Sequence, residues 1–204
     1  AQAAGEAPEE EIVSRTTQAG IGLATGVLVY GAALGGIFSL VFAFAYGRLG
    51  SLGPRGTSAL LAVLGFVAVI VIPGLKYPAN PPAVGNPETI GYRTELFFIM
   101  ILVSVAAMVA AVGLAQRLWK QLGAWNAAIV AALAYLVVFA LVKAALPNIN
   151  EVPEDFSAMV LWQFRVASLG IQLVLWAVIG LAFGAVVERQ LATRSQGGLA
   201  RRYA

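Results

Sequence analysis

The sequence predicts an all-α polytopic membrane protein with about five transmembrane helices, N-terminus outside and C-terminus cytoplasmic. Three observations carry the fold class. The 204 residues are 60% hydrophobic and only 11% charged, whereas an ordinary soluble domain carries about 25% charged residues. Mean hydropathy is +0.84. Five apolar runs are each long enough to cross a hydrocarbon core of about 30 Å at 1.5 Å per residue. In lipid the backbone must satisfy its own polar groups, so runs of this length are helices.

The chain begins at Ala1 rather than Met, which fits a removed leader or a missing first span. Residues 1–18 form a polar, acidic N-terminal segment with a Glu9-Glu10-Glu11 run. A five-helix domain is expected over 19–190 and a basic cytoplasmic tail over 191–204. The apolar segments are Gly20–Tyr46, Thr57–Leu75, Glu95–Ala115, Ala124–Leu146 and Val160–Val187.

The first is rich in glycine. Gly22 and Gly26, then Gly31 and Gly35, repeat the small-xxx-small spacing that lets helices approach closely, and Gly180 and Gly184 repeat it in the fifth. The second ends at Pro73-Gly74, where a missing N–H stops or kinks a helix. Lys76 can snorkel from there to the interface. Pro78, Pro81 and Pro82 stiffen the loop that follows, with Asn80 able to satisfy backbone groups. Such a loop suits a binding surface and a rigid connector equally. Met100 and Met108 in the third segment read as packing.

The fifth segment carries Trp162, Arg165, Leu169, Gln172 and Trp176 at spacings of 3 and 4, one stripe on a helix. Arg165 lies about one turn inside the boundary and Gln172 nearly two turns deeper. Ionisable groups inside a membrane usually face a cavity or the bundle interior and are paired. Glu95 and Glu151 are the partners expected for Arg165; a snorkelling arginine beside a structural glutamine is the plainer alternative.

Orientation rests on the basic residues. Arg48, Arg55, Arg117, Lys120, Arg189, Arg194, Arg201 and Arg202 share one side, which the positive-inside rule makes cytoplasmic. Glu188 is the acid expected there; Glu6, Glu9, Glu10, Glu11, Glu88, Glu95, Glu151, Glu154 and Asp155 all fall on the other. That bias fits either a negative outer vestibule that concentrates cations or acids tolerated on the exported side. The bases beside apolar spans set orientation, and no nucleic-acid partner is expected.

The chain has no cysteine and no histidine. Thiolate and imidazole metal sites and Ser-His or Cys-His catalysis are therefore excluded. A metal held by this chain would meet oxygen ligands, methionine sulfur or backbone carbonyls. No phosphate-binding loop, dinucleotide fingerprint, metalloprotease helix or nucleophile elbow is present. No cofactor and no enzymatic activity are expected, and movement of a substrate must draw on a gradient, a partner or passive flow.

The stretches FVAVIVIPGLKYPANPPAVGNPETIGYRT, GAWNAA and LPNINEVPEDFSAMVLWQFRVASLGIQLVLWAVIGLAFG, with the glycine-rich first segment, resemble the CbtA family from about Val13 to Glu188. Ser157 stands where that family's loop is expected to carry proline. The resemblance implies a bacterial cytoplasmic-membrane subunit for cobalt uptake, working with a small single-span, CbtB-like partner that bears a histidine-rich motif. On that reading Glu151, Glu154, Asp155 and Glu95 are transient ion contacts, and Asn80, Arg165 and Gln172 line the path. A non-catalytic assembly subunit of a larger membrane complex is the alternative.

Overall fold

The computed structural model describes residues 14–82 and 84–200, and of Arg15 and residues 195–200 the backbone alone. Glu6, Glu9, Glu10, Glu11, Arg201 and Arg202 lie outside the described residues. Every long described element is a helix. Four are long and apolar enough to cross a membrane: Gln18–Ala45, Pro54–Lys76, Pro87–Ala145 and Ala158–Arg194. The third would be about 90 Å long at 1.5 Å per residue, three times the hydrocarbon core. It is not one span. At Gly123 the backbone leaves helical geometry, with φ 74° and ψ 165°, a left-handed conformation that glycine adopts without steric cost. The chain folds back there: Ser104 and Tyr135 share a buried 2.7 Å hydrogen bond on either side of the break. The fold is an all-α polytopic membrane protein, with five apolar helical segments.

The chain forms two compact units divided after Phe44. The described part of the first is one helical run, an α turn at Arg15–Thr17, a π turn at Gln18–Gly22 and the α-helix that follows; α1 denotes Gln18–Ala45, whose last residue lies just past the division. A Cβ at Gly22 would meet only its own preceding turn, at Thr17 O; at Gly26, Gly31 or Gly35 it would meet nothing within 4 Å among the described residues.

The second unit holds α2 (Pro54–Lys76), α3 (90–122), α4 (124–145) and α5 (Ala158–Ala200). Pro54 opens α2 at a first-turn position where its missing N–H costs nothing. A 3₁₀ turn at Pro87–Thr89, capped by the Asn86 side chain accepting from Glu88 N at 3.0 Å, opens α3. The sequence reading begins that span at Glu95, five residues after the helix begins at Ile90. Asn86 and Pro87 are the missed start signal. Helix α5 continues past residue 190 to Ala200.

Two contacts hold this unit. Small residues bring α2 and α5 together. A Cβ at Gly180 would lie 2.5 Å from Ala62 Cβ; one at Gly184 would lie 3.0 Å from Arg55 Cα and Ser58 Cβ. Gly65 leaves the space into which the buried Trp176 ring fits. Ser58 is fully buried and donates to Gly180 O at 2.6 Å. Interhelical hydrogen bonds in membranes average only about 0.6 kcal/mol, so close packing does most of the work of this seam. The second contact is a core of Ile72, Met100, Ala111, Ala131 and Tyr135, which joins α2 to the α3–α4 hairpin. Outward, large apolar side chains of this unit stay exposed: Leu102 at 71%, Ile171 at 68% and Leu181 at 67%. A soluble monomer rarely shows continuous apolar surface of this kind; here it meets lipid.

Candidate functional site

Beyond Gly65 and Trp176 the partnership of α2 and α5 changes. Residues Val67–Val71 of α2 form a π turn, just ahead of the fully buried Pro73. A proline ring crowds the carbonyl four residues back, here that of Val69, and a wider turn relieves that crowding. From this point the two helices part around a cavity of about 720 Å³. Its walls include Val69 to Val71 of α2, Arg93, Thr94 and Phe97 of α3, and Arg165, Ser168, Leu169 and Gln172 of α5. The proline-bearing loop after α2 and residues 149–151 of the loop after α4 complete it.

Three polar devices shape the mouth. Lys76, although a lysine, is 8% exposed. Its Nζ donates to Lys143 O at 2.9 Å, Leu146 O at 2.8 Å and Asn148 Oδ1 at 2.7 Å. All three ammonium protons are thus used, and the charge sits on the C-terminal carbonyls of α4, the negative end of the helix dipole. Lys76 does not snorkel outward; it locks α2 to α4.

Glu151 fastens the two loops. It accepts from Thr89 Oγ1 at 2.6 Å and from Asn86 N at 2.9 Å, and it pairs with Arg93 Nε at 3.3 Å. The Thr89 hydroxyl, then the Asn86 amide, with the Arg93 charge a lesser influence, hold its carboxyl below the usual carboxylate range. Arg93 also donates from Nη2 to Asn86 O at 3.2 Å. Its guanidinium lies against Gly85, where φ is +112° and a Cβ would come within 2.7 Å of Nη1. Only glycine fits there.

Arg165 fastens the proline loop. Its Nε donates to Ala79 O at 3.1 Å and its Nη2 to Asn80 Oδ1 at 2.9 Å. This corrects the pairing expected with Glu95 or Glu151: Arg165 rests on two neutral oxygens, and Glu151 has gone to Arg93 instead. Gln172 lies on the cavity wall, and its buried Oε1 has no hydrogen-bond partner among the described residues.

The structure therefore gathers Asn80, Glu151, Arg165 and Gln172 around one cavity. Glu95, Glu154 and Asp155 are exposed and do not line it. Among the described residues, no three Asp, Glu, His or Cys side chains converge as a metal site. The charged groups on the wall are two guanidiniums, Arg93 and Arg165, and one carboxylate, Glu151. Sequence reasoning missed the partners that set this geometry: Asn86, Thr89, Arg93 and the burial of Lys76. Only Asn86-Pro87 carried a local signal; the others depend on contacts about 60 to 70 residues apart.

The fold and this loop-roofed cavity define a multi-pass membrane protein with a polar recess between its helices. Over residues 1–188 the sequence matches the family model CbtA, described as a probable cobalt transporter subunit. The chain belongs to that family. No curated protein matches it, and no solved structure does either.

Proposed function

We propose that the chain is the membrane-embedded subunit of a bacterial cobalt uptake system and that the cavity beside α5 is the entry to its path. The observation that carries this is the gathering of Asn80, Arg165 and Gln172, from a loop and a helix 85 or more residues apart in sequence, on one wall of one recess. Membrane transport sites are commonly built where a helix is interrupted and its backbone lines a cavity, and the π turn and Pro73 interrupt α2 at this point.

The cavity end faces outward in this reading. Arg48, Arg55, Arg117, Lys120, Arg189 and Arg194 belong to the other end, which the positive-inside rule assigns to the cytoplasm. Glu151 acts as a structural clasp, and entry is governed by the cavity rather than by an acidic vestibule. Energy comes from an ion gradient or from a partner, the small single-span, histidine-bearing subunit expected for this family.

Uptake of radioactive cobalt into proteoliposomes, with and without that partner, tests the proposal. Gln172→Leu should lower the initial rate at least about tenfold while the protein still folds, since an interaction of about 1.4 kcal/mol on the path suffices for that factor. Glu154→Gln should leave the rate unchanged. Absence of uptake by folded protein under both conditions, whether the cobalt is supplied as a simple salt or with a chelating carboxylate, would refute the transport reading and favour an assembly role.

A further inference from the structure

We infer that the cavity takes cobalt as a complex with a small carboxylate-bearing ligand, not as the hydrated cation. This rests on the uptake reading above and specifies its substrate class.

The first ground is space. Six waters at about 30 Å³ each amount to about 180 Å³, a quarter of the 720 Å³ of the cavity. A recess of this size matches the range of about 300–1,000 Å³ in which proteins hold small organic ligands.

The second is charge. A bare divalent cation entering here would meet two guanidiniums, and the carboxylate on the wall already serves Arg93. The walls also offer no cluster of three acidic side chains, among the described residues, to replace a hydration shell. A divalent ion that sheds its waters needs several donor atoms in their place. A chelating ligand supplies those oxygens itself and cancels the charge that the guanidiniums oppose.

The third is Arg165. A guanidinium has five N–H donors in a planar fork suited to a carboxylate, and the Ala79 carbonyl and Asn80 amide take two of them. These acceptors are neutral, and no carboxylate lies within ion-pairing distance of Arg165 among the described residues. They hold the fork in place without neutralising it. Seven residues along α5, Gln172 lines the same recess with its Oε1 buried and unpaired, so its amide gains a hydrogen bond by turning toward a hydroxyl or a metal-bound water of the complex. One wall thus has a fixed positive fork and an acceptor, which are the complements of a carboxylate and a protic group on one ligand.

Equilibrium binding to the full chain in detergent tests this, with cobalt(II) sulfate, metal-free citrate and one-to-one cobalt(II)–citrate as probes. Cobalt–citrate should bind at least about tenfold more tightly than cobalt sulfate, and metal-free citrate should bind measurably. Arg165→Gln should weaken cobalt–citrate binding by about 30-fold or more, as expected when one side of a buried charge pair is truncated. Arg165→Lys should restore part of it, and Glu95→Gln should change nothing. Should Arg165→Gln fail to fold, Ser168→Phe, which narrows the recess from α5 beside Arg165, must weaken citrate binding at least about tenfold, and an unchanged affinity overturns the inference. Equal or tighter binding of cobalt sulfate, or no binding of citrate in either form, overturns the inference. Displacement by anionic phospholipid at lower concentration than by citrate also overturns it, assigning the recess to a lipid headgroup. Cobalt sulfate uptake by proteoliposomes of the same preparation separates the two failures: if it persists, the transport reading stands without the chelate.

Discussion

Helices α2 and α5 meet in two different ways along their length. From Arg55 to Gly65 they are zipped by glycine, alanine and serine, with a Cβ at Gly180 already in conflict with the neighbouring helix and one at Gly184 in tight contact with it. From Val69 onward they part around a cavity bridged by Arg165 and roofed by a proline loop. The first region is specified by the smallness of its residues, and the hydrogen bond across it is secondary. In the second, charged groups replace close packing, and each is tied to backbone carbonyls or amides. A membrane protein can hold a polar recess open when one end of a helix pair is rigid and the other is strutted. On this view stability resides in the zipper and shape in the struts, and substitutions in each region should separate the two.

Overfilling the zipper should have the largest effect. Gly180→Leu places a branched side chain where even a Cβ meets Ala62 at 2.5 Å. Overpacking costs about 1–3 kcal/mol in cores that can adjust, and the facing backbone of α2 cannot retreat without breaking Ser58 to Gly180. A loss of about 3 kcal/mol or more is expected, seen as a collapse of folded yield in detergent and a lowered thermal midpoint. A near-neutral result would mean that α5 is free to slide and that the seam is not a fixed zipper. Gly26→Leu in α1, where a Cβ meets nothing within 4 Å among the described residues, is the matched control.

Removing a strut comes next. Lys76→Met keeps the apolar stem but deletes two hydrogen bonds to carbonyls at the end of α4 and one to the Asn148 side chain in the loop beyond it. Hydrogen bonds to charged groups contribute about 1.5–3 kcal/mol, but the freed carbonyls near the loop regain some water, so a net loss of about 2 kcal/mol is expected. Thermal unfolding measures it. Lys76→Arg should not rescue, because a planar fork cannot direct three protons at carbonyls around one point.

The two regions were unequally legible in the sequence. The pairs Gly180/Gly184 and the five apolar segments show in one dimension because spacing along a helix is itself the signal. The break at Gly123 falls in the gap between the third and fourth apolar segments, just ahead of Ala124, so hydropathy alone divides the long third helix near the right place. The cavity was half legible. Arg165 and Gln172 stand out because a polar residue in an apolar run needs a reason, and Asn80 stands out in its proline frame. Their partners do not stand out: Lys76 looks like any interfacial lysine, and Glu151 like any loop acid. Which carboxylate reaches which arginine is decided by how the two loops fold over one another. For that reason Arg165 was expected on a carboxylate and rests on Asn80 instead. The π turn at Val67–Val71 left no local trace beyond Pro73.

The Glu151 clasp gives a smaller effect with a distinctive pH signature. Its carboxyl titrates below the ordinary value of 4.5 in the folded protein, so ionised Glu151 favours the fold. That contribution is fully present above about pH 4.5 and is lost as pH falls through the lowered folded value. Glu151→Gln should therefore melt below the wild type at neutral pH, and the two curves should converge in acid. A gap that persists at low pH would show that the shape of the side chain, not its charge, closes the loops.

The smallest effect should come from the far end of the zipper. Arg55 and Glu188 form a short ion pair, 2.6 Å from Nε to Oε2, but their side chains are 62% and 44% exposed. Distance alone suggests strength; exposure decides otherwise. Water screens the attraction, and ordering two long side chains opposes it, so Arg55→Ala should cost about 0.5 kcal/mol or less. What loss there is should vanish at about 1 M salt, where the screening length is about 3 Å. A larger, salt-insensitive loss would mean that the arginine stem packing beside Gly184, rather than its charge, supports the seam. The zipper would then reach the surface through apolar contact alone, and charge would matter only where the helices part.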